Sequence, residues 1–173
     1  DPYNHLAIHP YPAHLVQQVQ LKDGTDIVIR PIRPEDAEIE AEFIRGLSKE
    51  SKYFRFMNSI QELSQEMLVR FTQIDYHNEM ALVAVRSIDN REEQIGVARY
   101  TTSLDKKSCE FALVVSDQWR GRGIAHHLMR RLMQIARDRD LERIEGQVLG
   151  NNVKMLQLMK SMNFQISNDA DDP

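Results

Sequence analysis

The sequence predicts a mixed α/β (α+β) domain, and three observations predict it. β-rich runs are interleaved with segments whose apolar residues recur at helical spacing. One β-rich run continues through a turn with two glycines into an amphipathic helix. The length of 173 residues suffices for one domain with a sizeable core, and no shift in composition divides the chain.

The N-terminal half is expected to hold an arm, one strand and three helices. Two prolines in alternate positions favour an extended conformation, so residues 1–20 are interpreted as an arm or linker and residues 21–173 as the domain. Because the chain opens on Asp1 without an initiator Met, we expect it to be the C-terminal part of a longer protein. The predicted elements are a strand at Ile27–Ile32 and helices at Pro34–Leu47, Ser48–Met57 and Leu63–Ile74.

The C-terminal half is expected to begin with a hairpin and to end in an acidic, loose tail at residues 167–173. A charged turn at residues 89–93 joins the two strands of the hairpin. The predicted strands are Met80–Val85, Ile95–Thr102, Glu110–Val115 and Arg143–Leu149. One predicted helix begins beyond Gly123, and a second spans Asn152–Met162.

Composition excludes several classes of function. The formal net charge of -4 argues against nucleic acid, and no apolar run approaches the roughly 18 residues of a membrane span. The single cysteine, Cys109, excludes an internal disulfide and a cysteine-rich metal site and fits a reducing cytoplasm, where we expect the protein to reside. No histidines are paired at metal-ligand spacing, so no metal is expected.

The turn between the strand at Glu110–Val115 and the next helix is suited to an anion. Gly121 and Gly123 remove side chains so that backbone N–H groups can approach a phosphate, and a helix N-terminus follows. Arg120 and Arg122 add local positive charge suited to a pyrophosphate. The alternative is an ordinary tight connection. A dinucleotide-binding or Walker-type loop does not fit, because a third glycine and a GK[ST] are missing.

Two motifs resemble the GNAT (Gcn5-related N-acetyltransferase) family. Residues 120–125 match its Q/R-x-x-G-x-G/A motif, and Asn152, a helix and Asn163-Phe164 have the spacing of its N…GF signature. The resemblance implies a mixed, mostly antiparallel sheet flanked by helices, with acetyl-CoA bound between the fourth strand and the following helix. It implies that the cofactor-binding residues are Leu113, Val114, Val115, Arg120, Gly121, Arg122, Gly123, Ile124, Ala125, His126 and Asn152.

The first residues carry a narrower resemblance. The segment His5–Pro12 is similar to the junction in bacterial protein lysine acetyltransferases that are fused to an acyl-CoA-synthetase-like (NDP-forming) region. This resemblance implies that the acceptor is a lysine on another enzyme, such as an acyl-CoA synthetase. Neither nucleic acid nor membrane is expected as a partner.

Glu110 is the candidate general base. A lysine amine has a solution pKa of about 10.4 and is mostly protonated near neutral pH, so a group must accept its proton. Glu110 stands at the head of the cofactor strand, where many members of the family carry a base, and strand alternation places it on the same face as Ala112 and Val114. The alternative is a solvated carboxylate at a strand end.

Other groups are weighed for the remaining steps. A backbone N–H of Val114 or Val115 could stabilise the oxyanion. Where the family often carries a tyrosine acid this chain has Met159, so Tyr100 and Tyr76 are possible substitutes, although either could simply be packed. A covalent acetyl-enzyme on Cys109 is disfavoured, since this residue alternates away from Glu110 and lacks an evident histidine partner.

The sequence is compatible with three functions. The first is a protein lysine N-acetyltransferase that uses acetyl-CoA and direct attack. The second is an N-acetyltransferase for a small-molecule amine, and the third is a non-catalytic acyl-CoA-sensing regulatory domain, which the missing tyrosine would suit.

Overall fold

The computed structural model describes residues 10–56 and 63–168. The strands are β1 Gln17–Gln20, β2 Asp26–Pro31, β3 Glu79–Ile88, β4 Arg91–Thr102, β5 Ser108–Val115 and β6 Arg143–Glu145. The helices are α1 Ala37–Arg45, α2 Lys49–Phe56, α3 Gln65–Thr72, α4 Ile124–Asp138 and α5 Val153–Ser161. Short 3-10 turns lie at Ala13–Leu15, Pro34–Asp36 and Asp117–Trp119.

The strands form one six-stranded sheet in the order β1-β2-β3-β4-β5-β6. Every neighbouring pair is antiparallel except β5 and β6, which are parallel. One face of the sheet packs against α4 and α5, and the opposite face packs against α1 and α3. The predicted fold class, a mixed sheet flanked by helices, is confirmed.

The sheet begins earlier than the sequence predicts. Gln17–Gln20 pairs antiparallel with β2 over the whole of its length, so the end of the segment interpreted as an arm belongs to the sheet. Three glutamines give this strand little β-propensity of its own, and its pairing with β2 supplies the order. The cofactor strand, predicted to be the fourth, is therefore the fifth. Residues 1–9, which include His5–His9 of the segment used for the narrower resemblance, lie outside the described residues.

The hairpin between β3 and β4 is tighter than predicted. Its turn consists of Asp89 and Asn90, both at positive φ (49° and 63°), as a two-residue hairpin turn requires. The charged residues that follow them belong to β4. The register then slips by one residue, because Ala84 faces Gly96 while Val85 faces Gln94, which leaves Ile95 as a bulge.

β6 is shorter than the predicted strand Arg143–Leu149, and beyond its end the edge of β5 is left unpaired. Its pairing with β5 stops where Glu110 faces Glu145. At the next residue, Gly146, an added Cβ would lie only 2.6 Å from Cε1 of Phe111, so the ring occupies the place of a side chain. β5 continues to Val115 without a partner on that side, and the two strands diverge.

The predicted helices are confirmed with ends shifted by a few residues. The helix predicted to start at Pro34 begins as a 3-10 turn and becomes α1 at Ala37. The end of the second helix, at Met57, and most of the acidic tail lie outside the described residues. Among the described residues, no helix is both long and apolar enough to cross a bilayer.

Candidate active site

A cleft of about 1050 Å³ opens where β5 and β6 diverge. The unpaired half of β5 forms its floor, and the glycine turn with the start of α4 closes one end. The start of α5 forms one wall, and α2 and α3 form the other. Of the residues predicted to bind the cofactor, all except Arg122 line this cleft, and so does the predicted base, Glu110.

The glycine turn is shaped for an anion. Gly121 and Gly123 have φ values of 76° and 88°, a left-handed conformation that favours glycine. An added Cβ would meet nothing within 4 Å at Gly121 and only His127, at 4.0 Å, at Gly123. Backbone conformation, and not crowding within the protein, therefore requires these glycines. The N–H groups of the first turn of α4 have no intrahelical acceptor, and this turn contains no acidic residue, so it can receive a phosphate.

The two arginines of the turn have different surroundings. Arg120 lines the cleft, but its Nη2 lies 3.0 Å from Oδ1 of Asp117 and also donates a hydrogen bond to Oγ of Ser51. Asp117 accepts further hydrogen bonds from Ser51 Oγ (2.6 Å) and from the Ser48 N–H (2.7 Å). Burial raises the pKa of Asp117, but these hydrogen bonds and the Arg120 charge outweigh it and lower the pKa overall. The group ties the start of α2 to the cofactor turn.

Arg122 points elsewhere. Its guanidinium lies 4.4 Å from the centroid of the Trp119 ring, and its Nη1 lies 3.5 Å from Oδ2 of Asp23 in the turn between β1 and β2. Arg86 also lies over Trp119, at 4.6 Å. The side chain of Arg122 is therefore not a wall of the cleft, so the expected contact to the cofactor is left to its backbone.

Asn152 caps α5, because its Oδ1 accepts a hydrogen bond from the Met155 N–H at 3.4 Å. The capping role considered from the sequence is confirmed, and the residue also lines the cleft. At the end of the cleft that α4 closes, Nη2 of Arg130 lies 2.7 Å from Nε2 of His126. The mouth of the cofactor end thus carries positive charge from α4.

Glu110 lies at the end of the cleft away from the glycine turn. It is exposed, and Val114 on its face joins the hydrophobic cluster of α1 and α3, whereas Phe111 and Leu113 join the cluster of α4 and α5. The alternation predicted for β5 is therefore confirmed. Glu50, in the first turn of α2, is the other carboxylate that lines the cleft among the described residues.

The backbone of β5 offers donors to the cleft. The N–H of Ser116 bonds to Ile95 O of β4 at 2.8 Å, and N–H directions alternate along a strand. The N–H of Val114 is thus directed to β4, while those of Leu113 and Val115 point to the open edge. Of the two predicted oxyanion donors, the structure favours Val115.

The alternative chemical groups are packed. Cys109 is buried on the opposite face from Glu110, and burial together with the nearby Glu145 charge raises its pKa to about 11, which disfavours a thiolate. Tyr100 is buried in the α4 core, with its hydroxyl 3.3 Å from Nη1 of Arg139. Burial raises the pKa of Tyr76, and neither tyrosine lines the cleft. Met159 is also a core residue, so none of these groups replaces the tyrosine acid.

Sequence reasoning missed the wall opposite α5. There Phe56, Phe71, Arg55 and Arg70, from α2 and α3, line the cleft. The two helices show only amphipathic patterns in the sequence, and the contact of α2 with β5 depends on tertiary packing. No local motif could have brought these residues to the site.

Comparison with known proteins agrees with this geometry. Residues 26–165 match the family model "Acetyltransferase (GNAT) domain". The chain is 34% identical over 152 residues to acetyltransferase PA5475 of Pseudomonas aeruginosa, covering 88% of this chain and 82% of that protein. It is 28% identical to acetyltransferase Pat of Mycolicibacterium smegmatis over 82% of this chain, but spans only 42% of that protein.

A solved structure shows the same architecture. The GNAT domain of S. lividans PAT superposes with a TM-score of 0.84 at 31% identity, covering 93% of this chain and 94% of that domain. Acetyl-CoA is the cosubstrate of the family, and the cleft described above has the turn, helix start and unpaired strand edge that the ligand requires. The chain therefore belongs to the GNAT family of acetyltransferases.

Proposed function

We propose that the protein is a protein lysine N-acetyltransferase that transfers the acetyl group of acetyl-CoA by direct attack of the amine, with Glu110 as general base. The observation that supports this most is the arrangement of one cleft with an anion-binding turn at one end and an exposed carboxylate, Glu110, at the other. Between them lies the unpaired edge of β5, which is apolar at Leu113, Val114 and Val115.

The described residues fit acetyl-CoA as cosubstrate. The turn at Gly121 and Gly123 and the start of α4 would hold the pyrophosphate, and the outward N–H and C=O groups of β5 would bond the amide-containing arm. Asn152 stands at the start of the facing helix. When bound, acetyl-CoA supplies a thioester, which a neutral amine can attack.

The chain's own groups then have two tasks. Glu110 would take a proton from the ammonium through water at the open end of the cleft, because roughly 17 Å of strand separate it from Val115. The N–H of Val115 would donate a hydrogen bond to the oxygen that becomes negative. The buried Cys109, with its raised pKa, argues against an acetyl-enzyme and for direct transfer. A thiolate is a good leaving group, so the missing tyrosine acid is tolerated.

The exposure of Glu110 supports a protein acceptor. A lysine side chain on a folded partner can reach only a base near the surface, and Glu110 is exposed at the open end of the cleft. The likeness to the GNAT domain of S. lividans PAT and the resemblance to bacterial lysine acetyltransferases point the same way. We place the targets among cytoplasmic enzymes, with acyl-CoA synthetases as the first to examine.

The test uses acetyl-CoA labelled in the acetyl group. The protein is incubated with an extract of cells that lack this enzyme, and separately with a panel of polyamines, amino acids and aminoglycosides. We expect label on the Nε atoms of a limited set of lysines, identified by mass spectrometry, and much slower transfer to the small amines. Label only in small amines would contradict the protein acceptor, and absence of transfer with CoA bound would indicate a sensor.

A further inference from the structure

Three guanidinium groups surround a single aromatic ring on the α2–α3 wall of the cleft. The Cζ atoms of Arg99, Arg55 and Arg70 lie 4.5, 5.6 and 6.0 Å from the centroid of Phe71. Arg55 also lies 4.9 Å from the centroid of Phe56. A cation is attracted to the face of an aromatic ring, but cations repel one another. Three positive charges are therefore concentrated around the Phe71 ring.

The nearby negative charge balances only part of it. The buried carboxylate of Glu40 lies 3.8 Å from Nη2 of Arg99 and accepts a hydrogen bond from Nε2 of Gln94 at 2.8 Å, so its oxygens are engaged. Within the described residues, no carboxylate lies within ion-pair distance of Arg55 or Arg70. Burial, and then the Arg99 charge, lower the pKa of Arg55 to about 10, and the Glu40 charge offsets only part of this shift.

The register of Arg99 places this group of cations beside the middle of β5. Arg99 faces Ala112 across the sheet, two residues from Glu110 and three from Val115. At about 3.3 Å per residue, this is roughly 7 Å from the base and roughly 10 Å from the end of β5, beyond which the cofactor turn lies. The part of acetyl-CoA that would lie along this stretch of β5 is uncharged. Among the described residues no further carboxylate balances these cations, and a carboxylate on another molecule would do so.

We propose that Arg55 and Arg70 form a subsite for a carboxylate carried by the acceptor, so that the enzyme selects lysines with an acidic side chain beside them. This inference rests on the proposed function and specifies its substrate class. An acceptor carboxylate would offset the charge of the half-buried Arg55, and the planar guanidiniums suit it. A basic neighbour of the lysine would be repelled, which adds discrimination.

The experiment compares three peptides that differ only beside one acceptor lysine: Glu on both sides, Gln on both sides, or Lys analogues blocked at the amine but still charged, such as trimethyl-lysine. We expect kcat/KM to be highest for the Glu peptide, lower for the Gln peptide and lowest for the cationic peptide. The Glu-to-Gln ratio should be about tenfold or more, which is the size of one charge-assisted contact. A Glu-to-Gln ratio near one in the wild-type protein would overturn the inference.

Variants locate the effect. The exposed Arg70 is changed first, since Arg70→Gln carries little risk to folding, and the Glu-to-Gln ratio should fall to about threefold or less. Arg70→Glu should reverse the preference in favour of the cationic peptide. Arg55→Gln should lower the ratio further. Arg137→Gln, on the exposed face of α4 and away from the cleft, is the matched control and should keep the wild-type ratio. A ratio that survives both Arg70→Gln and Arg55→Gln would overturn the inference.

Two further outcomes separate the possible failures. If succinyl-CoA outperforms acetyl-CoA on the Gln peptide and Arg70→Gln removes this advantage, the carboxylate belongs to the acyl group and the acceptor assignment is wrong. If no lysine peptide is acetylated while small amines are, the proposed protein acceptor fails and this subsite fails with it. Acetylation of all peptides at equal rates overturns the subsite alone.

Discussion

The two ends of the cleft are built in different ways. The cofactor end consists of backbone from one continuous stretch, in which β5, the glycine turn and α4 follow one another. The acceptor end consists of side chains brought together from α2, α3 and β5, with Arg99 of β4 beneath them. A backbone site depends on local conformation, whereas a side-chain site depends on packing between distant segments. Binding and acceptor chemistry should therefore respond to different substitutions.

The largest effect is expected at the acceptor end. Glu110→Gln removes the proton acceptor but keeps the shape, so kcat should fall by about 10² to 10⁴ at neutral pH. Steady-state turnover with a lysine peptide measures it. Glu50→Gln, at the other carboxylate of the cleft, is the control and should stay within about threefold of wild type. A collapse in Glu50→Gln with activity kept in Glu110→Gln would move the base to α2.

The next effect concerns the cofactor end. Gly123→Ala places a side chain at a φ of 88°, a conformation that costs about 1 to 2 kcal/mol, so the Kd for acetyl-CoA should rise by roughly 5- to 30-fold. Gly24→Ala is the matched control, because its φ is 90°, its added Cβ would meet nothing within 4 Å, and Gly24 does not line the cleft. It should lose stability without losing affinity. Equal affinity in both variants would show that the turn does not hold the ligand.

A third prediction concerns the divergence of the strands. The Cβ of Gly146→Ala would collide with the Phe111 ring, which packs against Phe164 with ring centroids 5.5 Å apart. We expect a loss of about 1 to 3 kcal/mol in the free energy of unfolding, measured by urea denaturation. Gly46→Ala, whose Cβ would make only contacts of 3.4 Å or longer, should change stability by less than about 0.5 kcal/mol. Equal stability of the two variants would contradict the packing described here.

The smallest effect is expected at the cysteine. Cys109→Ala should keep kcat within about twofold, because a buried thiol with a pKa of about 11 is almost fully protonated near neutral pH. Trapping with labelled acetyl-CoA alone should give no acetylated protein thiol. Loss of turnover in a folded Cys109→Ala protein would revive the covalent route.

The same contrast explains what the sequence could predict. The glycine turn, Asn152 and the alternation of β5 are local patterns, and the structure places them as the sequence suggests. The sequence does not predict β1, because its glutamines are ordered only by pairing with β2. It predicts β6 too long, because the Phe111 ring fills the space beside Gly146. Arg122 had a suitable charge, but its stacking on Trp119 and its ion pair with Asp23 could not be deduced from its place in the motif. The arginines around Phe71 come together only in the folded chain.

The most direct test of two separable ends is one calorimetric series in which acetyl-CoA is titrated into the wild-type protein, Glu110→Gln and Gly123→Ala. We expect Glu110→Gln to bind acetyl-CoA within about twofold of wild type although it barely turns over, and Gly123→Ala to bind it roughly 5- to 30-fold more weakly. Weakening of Glu110→Gln to the level of Gly123→Ala would contradict this expectation.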